Sequence, residues 1–346
     1  MTYDQPVYIE ITNNCNMNCR HCYNASGSSK KSQKLSPEVL EKIFVSMNMY
    51  QELTTFDISR GEPLMHTQWE QILDVMEKFR SFSFFVVTNG TIKDERFNNL
   101  LETDNRYTVQ FSIDGVDEDT HAKTRGKGNY VKTLKNLSLL KPKNQPIIKM
   151  VVSRYNMNQI KEYFELAVEH WCKPSFAFAE RMGHANDHWP DMSLNEYEKL
   201  RVIEQINTMR KKFNIETKLP YATFRCPLIK ESEALSICIK SNGSIQPCQN
   251  LYDDQFSIGS VYDLDFSVIQ INIGGIRRRL MERQKMDFNC DRCINRNDCE
   301  KGCAATAFMH YGHLDAVDGA CQFRRLQTAK IHLMKIVEAR KGINNI

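Results

Sequence analysis

Cys15-Asn16-Met17-Asn18-Cys19-Arg20-His21-Cys22 follows an apolar run from Pro6 to Ile11. Three thiols are offered within one short loop, just after a predicted first strand. A cubane 4Fe–4S cluster takes four ligands, so a loop that supplies three leaves one iron open to a group that is not protein. Spacing alone also admits zinc, with a fourth partner such as His21, or three reduced thiols in a loop.

Outward from this loop, strand-like and helix-like segments alternate to about residue 180. Short apolar runs bounded by polar or turn residues lie at Val7 to Ile11, Phe56 to Ser59, Ser83 to Thr88, Val109 to Ile113, Ile147 to Val152 and Phe176 to Ala179. Amphipathic stretches of helical length separate them: Pro37 to Met49, Gln68 to Phe79, Asp94 to Glu102, Tyr130 to Leu140 and Met157 to His170. Ser36-Pro37 reads as a cap and first helical turn. Six βα units in succession predict an α/β fold with a parallel sheet, open or closed into part of a barrel. Function then belongs at the carboxyl ends of the strands. The first five ends are unusual: the cysteine loop, Ser59-Arg60-Gly61-Glu62-Pro63, Thr88-Asn89-Gly90, Ser112-Ile113-Asp114-Gly115 and Ser153-Arg154. Taken singly, Asn89-Gly90 and Asp114-Gly115 are ordinary turns; the series is the signal.

The chain has 346 residues, which suits one large domain and a smaller one. Its 46 basic and 42 acidic residues balance to +4, so nothing electrostatic calls for nucleic acid. No apolar run has spanning length and no signal peptide opens the chain, which points to the cytoplasm and away from the membrane. Twelve cysteines without an export signal read as metal ligands and not as disulfides. Three precede residue 25, one stands at 172 and eight lie between 226 and 321, which suggests two metal-bearing regions.

The Cys-x3-Cys-x2-Cys loop after a first strand resembles the signature of the radical S-adenosylmethionine (SAM) enzymes. In that family the open iron chelates SAM, and an electron from the cluster cleaves it to a 5'-deoxyadenosyl radical. Ser59 to Pro63 resembles the family's Gly-Gly-Glu-Pro motif, with Arg60 in place of the first glycine and Gly61 and Glu62 matching. The resemblance implies that Arg60, Gly61, Glu62, Asn89, Ser112, Asp114 and Arg125 contact SAM, with His21 beside the adenine. For Arg125 an ordinary salt bridge is the plain alternative.

A second pattern, Cys290-x2-Cys293-x5-Cys299-x3-Cys303-x17-Cys321, lies behind Cys226, Cys238 and Cys248. Asn242-Gly243 predicts a two-residue hairpin turn that sets Ile237 opposite Cys248 and points Cys238 to the other face, unless a bulge intervenes. Alone, the pattern is an acceptable zinc ribbon. Downstream of a radical SAM-like barrel it resembles the SPASM extension, which binds two auxiliary 4Fe–4S clusters. The resemblance implies Cys290, Cys293, Cys299 and Cys321 on the outer cluster and Cys226, Cys248 and Cys303 on the inner one, three clusters in all. Cys172 reads as structural.

The domains expected are a partial barrel over 1–192, a solvated helical connector over 193–220, the SPASM region over 221–325 and a final helix over 326–346 packed on the barrel. His184, His188 and Trp189 read as loop residues, with a substrate cavity as the alternative. Arg277-Arg278-Arg279 and Arg324-Arg325 could meet an acidic leader peptide, or face solvent, or offset cluster charge.

By resemblance the chain is an oxidoreductase that oxidatively modifies, and cross-links, a ribosomally made peptide. Anaerobic sulfatase maturation is disfavoured, because Gln249 stands where those enzymes carry an aspartate. The implied partners are a precursor peptide and an electron donor such as flavodoxin or ferredoxin; since the barrel begins near residue 6, the precursor is to be recognised by the barrel, by the SPASM surface or by a separate leader-binding protein. The rivals are a radical SAM enzyme acting on a tetrapyrrole or sugar, and a zinc-stabilised binding protein. No residue is assigned as catalytic acid or base.

Overall fold

The computed structural model describes residues 6–27, 32–48, 55–229, 237–263, 266–286 and 290–343. Its first half is β1 (Val7–Ile9), α1 (Pro37–Asn48), β2 (Thr55–Ile58), α2 (Trp69–Lys78), β3 (Ser83–Thr88), α3 (Glu95–Thr103), β4 (Tyr107–Ser112), α4 (Glu118–Arg125), α5 (Asn129–Ser138), β5 (Ile147–Val152), α6 (Ile160–Glu169) and β6 (Lys173–Phe178). The six strands stand in sequence order and pair in parallel.

Alternation along each strand sorts two faces. Phe84, Val86, Ile148, Met150 and Val152 are buried under the helices, whereas Phe85, Val87, Lys149 and Val151 face the concave side and stay half-buried. The helices meet the sheet with apolar stripes, as in α1, where Leu40, Ile43, Phe44 and Met47 are buried. Phe44 and Phe82 lie 4.8 Å and 4.8 Å from Phe56, ring to ring, and seal the helix layer. The Ser36 hydroxyl accepts from Val39 N at 3.4 Å, which is the expected cap.

The second half adds α7 (Ala185–Met192), α8 (Glu196–Phe213), β7 (Cys238–Ile239), β8 (Ser244–Gln246), β9 (Gly259–Ser260), α9 (Phe266–Lys285), α10 (Ala304–Tyr311) and α11 (Cys321–Ile343). Strand β7 pairs in parallel with β1, and β8 and β9 follow antiparallel, so the sheet grows to nine strands in the order β6-β5-β4-β3-β2-β1-β7-β8-β9. The cysteine-rich region is therefore continuous with the barrel sheet.

Four expectations are corrected. The hairpin turn has three residues, not two: Cys238 pairs with Gln246 and Ile239 with Ile245, and Gly243 takes φ +85° as a bulge. The segment over 193–220 is not a solvated connector, because α8 buries Val202, Ile203 and Ile206, and Phe213 stacks on Phe164 at 5.9 Å. The final helix begins at Cys321 and not at 326, so the cut at 325 falls inside it. Its start is buried, with Phe323 edge-on to Phe178 at 5.9 Å, but Leu333, Met334 and Ile336 are exposed and do not pack on the barrel.

Candidate cofactor and substrate site

Gly61 sets the loop after β2 against the cysteine loop. At φ +54° a side chain there would strike Thr12 O, with Asn14 O only 2.6 Å away. Glu62 N then donates to Asn14 O at 2.8 Å. The Glu62 carboxylate accepts from Thr88 Oγ1 at 2.7 Å, Leu64 N at 3.3 Å and Asn89 N at 2.8 Å. It is fully buried, and burial pushes its carboxyl up to about 7. Through this carboxylate β3's end is placed: Asn89 Nδ2 points to Asn16 Oδ1 at 2.8 Å and to Cys15 Sγ at 3.9 Å.

Asp114 plays the same part at the end of β4. Its carboxylate accepts from Val151 N at 2.8 Å, Arg125 Nε at 2.6 Å and Thr124 Oγ1 at 3.1 Å. His21 Nε2 stands 3.3 Å from it and 3.2 Å from Arg125 Nη2, while Arg125 Nη1 reaches Cys19 Sγ at 4.0 Å. Burial lowers His21 to about 4, so the ring is neutral.

The three thiols, His21, Arg60, Gly61, Asn89, Ser112 and Arg125 line one cavity of about 300 Å³. Glu62 and Asp114 do not; both are sealed behind its wall with their oxygens taken by protein donors. Through these bonds the two carboxylates orient Asn89, Arg125 and His21, which do line the cavity.

Arg60 departs from glycine and still takes φ +72°. Its guanidinium lies over Tyr23 at 4.7 Å and Tyr252 at 4.1 Å and donates to Asn24 Oδ1 at 3.3 Å and to the Gln249 carbonyl. The side chain is thus committed to joining the barrel to the loop after Cys248.

The sulfurs are received as thiolate ligands would be. Ser26 N donates to Cys22 Sγ at 3.4 Å, and burial raises the free thiols of Cys15 to about 11 and Cys19 to about 12, so their ionisation needs a metal. Among the described residues no three His, Cys, Asp or Glu side chains gather as tightly as a single metal ion requires. Three thiols on one cavity are the donor set of a four-iron cluster with one open iron.

Further along, Cys290, Cys293, Cys299 and Cys321 surround a single small cavity with Arg324 and Arg325. Burial raises the Cys321 thiol, with Arg325 and Arg324 opposing, so the pair sits where it offsets thiolate charge. Cys226, Cys248 and Cys303 feel one another's charge and share a second core, with Leu251 N donating to Cys248 Sγ at 3.3 Å. Buried Arg283 donates to the carbonyls of Lys301, Gly302 and Ala316 and fixes this loop. Although the bulge puts Cys238 and Cys248 in the same parity, Cys238 lies among Arg60, Glu10 and Asp57 and not among those cysteines. Cys172 is buried and donates to His170 O, as a structural thiol does.

A family model described as the Radical SAM superfamily matches residues 9–167. The barrel half of the chain is thus similar to radical SAM proteins. It is 25% identical over 344 residues to the AdoMet-dependent heme synthase of Methanosarcina barkeri, covering 91% of this chain and 95% of that one. The antilisterial bacteriocin subtilosin biosynthesis protein AlbA of Bacillus subtilis is 28% identical, over 73% of this chain and 56% of its own. In fold, Streptococcus suis SuiB bound to S-adenosylmethionine superposes with a TM-score of 0.71 at 17% identity, covering 93% of this chain and 78% of SuiB; SuiB is also known bound to its precursor peptide SuiA.

Three features of this site escaped the sequence reading. Gly183 abuts the Cys22 carbonyl, His184 N donates to that same oxygen at 3.0 Å, and His184 Nδ1 approaches Cys19 O at 3.2 Å, so the loop after β6 clamps the cysteine loop. Glu10, buried at the end of β1, accepts from Asn24 Nδ2 at 2.9 Å and Ser241 N at 3.2 Å. The concave face also carries Asp57 and Lys149. No residue of the pattern that found the cysteines pointed to any of these. Among the described residues no helix is long and apolar enough to cross a membrane.

Proposed function

We infer that the chain is an oxidoreductase that modifies a ribosomally made peptide, with cross-link formation as the reaction. One observation carries the reading: the cysteine loop and the concave face of the sheet share one cavity, so a group held by Cys15, Cys19 and Cys22 stands beside whatever enters the barrel. Similarity to a bacteriocin biosynthesis protein and to the fold of a precursor-bound enzyme supports a peptide as that entrant.

The three thiols would hold a 4Fe–4S cluster, with SAM reached by Asn89, Ser112, Arg125, His21 and the Arg60–Gly61 backbone. Bound there, the cluster and SAM would supply the radical chemistry by which hydrogen is removed from a substrate carbon. The chain's own part is to exclude water and hold the target C–H at the cavity. Two auxiliary clusters, on Cys290, Cys293, Cys299 and Cys321 and on Cys226, Cys248 and Cys303, would take up the electron released when the substrate is oxidised.

The test is anaerobic co-expression with short peptides encoded beside the gene, followed by mass spectrometry. Loss of two hydrogens from one peptide, abolished by Cys22→Ala, is the expected result. The heme synthase similarity, which spans nearly both chains, favours a second reading in which the substrate is a tetrapyrrole. Unmodified peptides together with SAM cleavage that accelerates on adding a precursor tetrapyrrole not yet oxidised to haem would move the assignment there.

A further inference from the structure

Asp57 and Lys149 are left unused by everything above. Asp57 pairs in register with Tyr8 on β1 and Phe85 on β3, and Lys149 with Ser112 on β4. Their strand neighbours Phe56, Ile58, Ile148 and Met150 are buried on the helix side, so both charged residues point into the barrel, where both line the cavity. Asp57 Oδ1 is shut off from solvent and accepts no hydrogen bond, while the Ser59 side chain bonds the carboxylate. Each of the two feels the other's charge, yet among the described residues no hydrogen bond or ion pair joins them. Burial raises the Asp57 carboxyl and lowers the Lys149 ammonium, with the partner's charge opposing in both cases.

Two opposite charges held in a desolvated lumen and kept from touching lose hydration without the return of contact. Asp57 stands on β2 and Lys149 on β5, with β3 and β4 between them. A pair kept open fits a ligand that bridges it, giving a donor to the carboxylate and an acceptor to the ammonium. A backbone amide or a carboxamide offers both on adjacent atoms, and Tyr8, Phe85 and Val87 supply an apolar wall beside it. A carboxylate offers acceptors alone and would meet Asp57 with like charge.

We propose that Asp57 and Lys149 grip an amide of the substrate, Asp57 through its N–H and Lys149 through its C=O, and so present the neighbouring C–H to the SAM site. This rests on the peptide reading above and names the chemistry by which the lumen recognises that peptide.

The experiment uses the cluster-loaded protein under anaerobic conditions, with Asp57→Asn and Lys149→Met, and as probes the peptides co-expressed above. The readouts are product formed per SAM cleaved and the melting temperature. Each substitution is expected to lower the product ratio about tenfold or more, while melting stays within about 3 °C of the wild type or rises. Lys149→Arg, which keeps the charge and the donors, is expected to recover much of the ratio, whereas a packing defect would not be recovered. Peptides still modified with an unchanged product ratio in both variants, or a retained ratio with melting lowered beyond that margin, would mark a structural pair and overturn the assignment alone. A wild type that cleaves SAM but modifies no peptide defeats the peptide reading itself, and the amide assignment falls with it.

Discussion

At Arg60 a left-handed backbone is held by bonds made at the far end of the side chain. A non-glycine residue at φ +72° costs roughly 1 kcal/mol. Two aromatic faces at 4.7 and 4.1 Å return about 0.5–2 kcal/mol each, and the bond to the Gln249 carbonyl adds to that. Arg60→Ala should therefore destabilise by roughly 1–3 kcal/mol and speed amide exchange over Gln249–Tyr252; exchange at the wild-type rate would show that the loop is held by something else. Asp57 gives a pH signature. Its carboxyl rises from 3.8 to about 6 on folding, chiefly by burial, with Ser59, Lys149 and Arg60 opposing. Between those values the folded chain binds more protons than the unfolded one, so this group's contribution to stability falls as pH rises through the window. The melting advantage of Asp57→Asn over the wild type should grow from about pH 4 to about pH 7, and a constant difference would refute the shift. The cysteines were legible because ligation is written in spacing along the chain. Asp57 and Lys149 were not, because Thr-Phe-Asp-Ile and Ile-Lys-Met read as ordinary alternation until the register of five strands sets them around one lumen.

Among the elements, the hairpin β7–β8 has the widest effect. Tyr8 N donates to Ile237 O at 2.9 Å and Glu10 N to Ile239 O at 2.8 Å, so β1 is an interior strand only because this hairpin is present. A chain ending at Pro220 would leave β1 as a bare sheet edge. It is expected to aggregate on size-exclusion chromatography, and a well-behaved monomer would show the edge to be protected in another way. The βα order, the parallel pairing and five of the helices were readable from apolar periodicity. Helix α4 is polar all round and offered none. Helix α9 carries Gly274-Gly275 in its interior and α7 carries Pro190, residues that argue against helix on propensity and are overridden by packing. The hairpin register was missed because Asn-Gly suits a two-residue turn, while Gly243 with Tyr262 packed against it makes a three-residue loop.

For the molecule as a whole, α11 starts at one cysteine of the outer set and reaches back to the barrel through Phe323 on Phe178 and Lys330 paired with Glu204. Loss of a cluster held by the outer cysteines, as proposed, should therefore be felt by the barrel. Cys321→Ala is expected to remove about a third of the iron and to lower the melting temperature, and full iron content would take Cys321 out of the ligand set. That the two halves share a sheet was hidden from the sequence, since nothing in Cys238–Ile239 announces a parallel neighbour 230 residues upstream. The clamp on the cysteine loop has a bearing on time. Cys19 and Cys22 meet His184, separated from Cys19 by 165 residues, and Arg60 meets Gln249, 189 residues on. At roughly 5–20 residues per second of synthesis, the nascent thiols wait on the order of ten to forty seconds on the ribosome before the walls of their own site exist. Iron delivered before then would meet an open loop, so loading belongs after the stretch through Gln249 has emerged and folded.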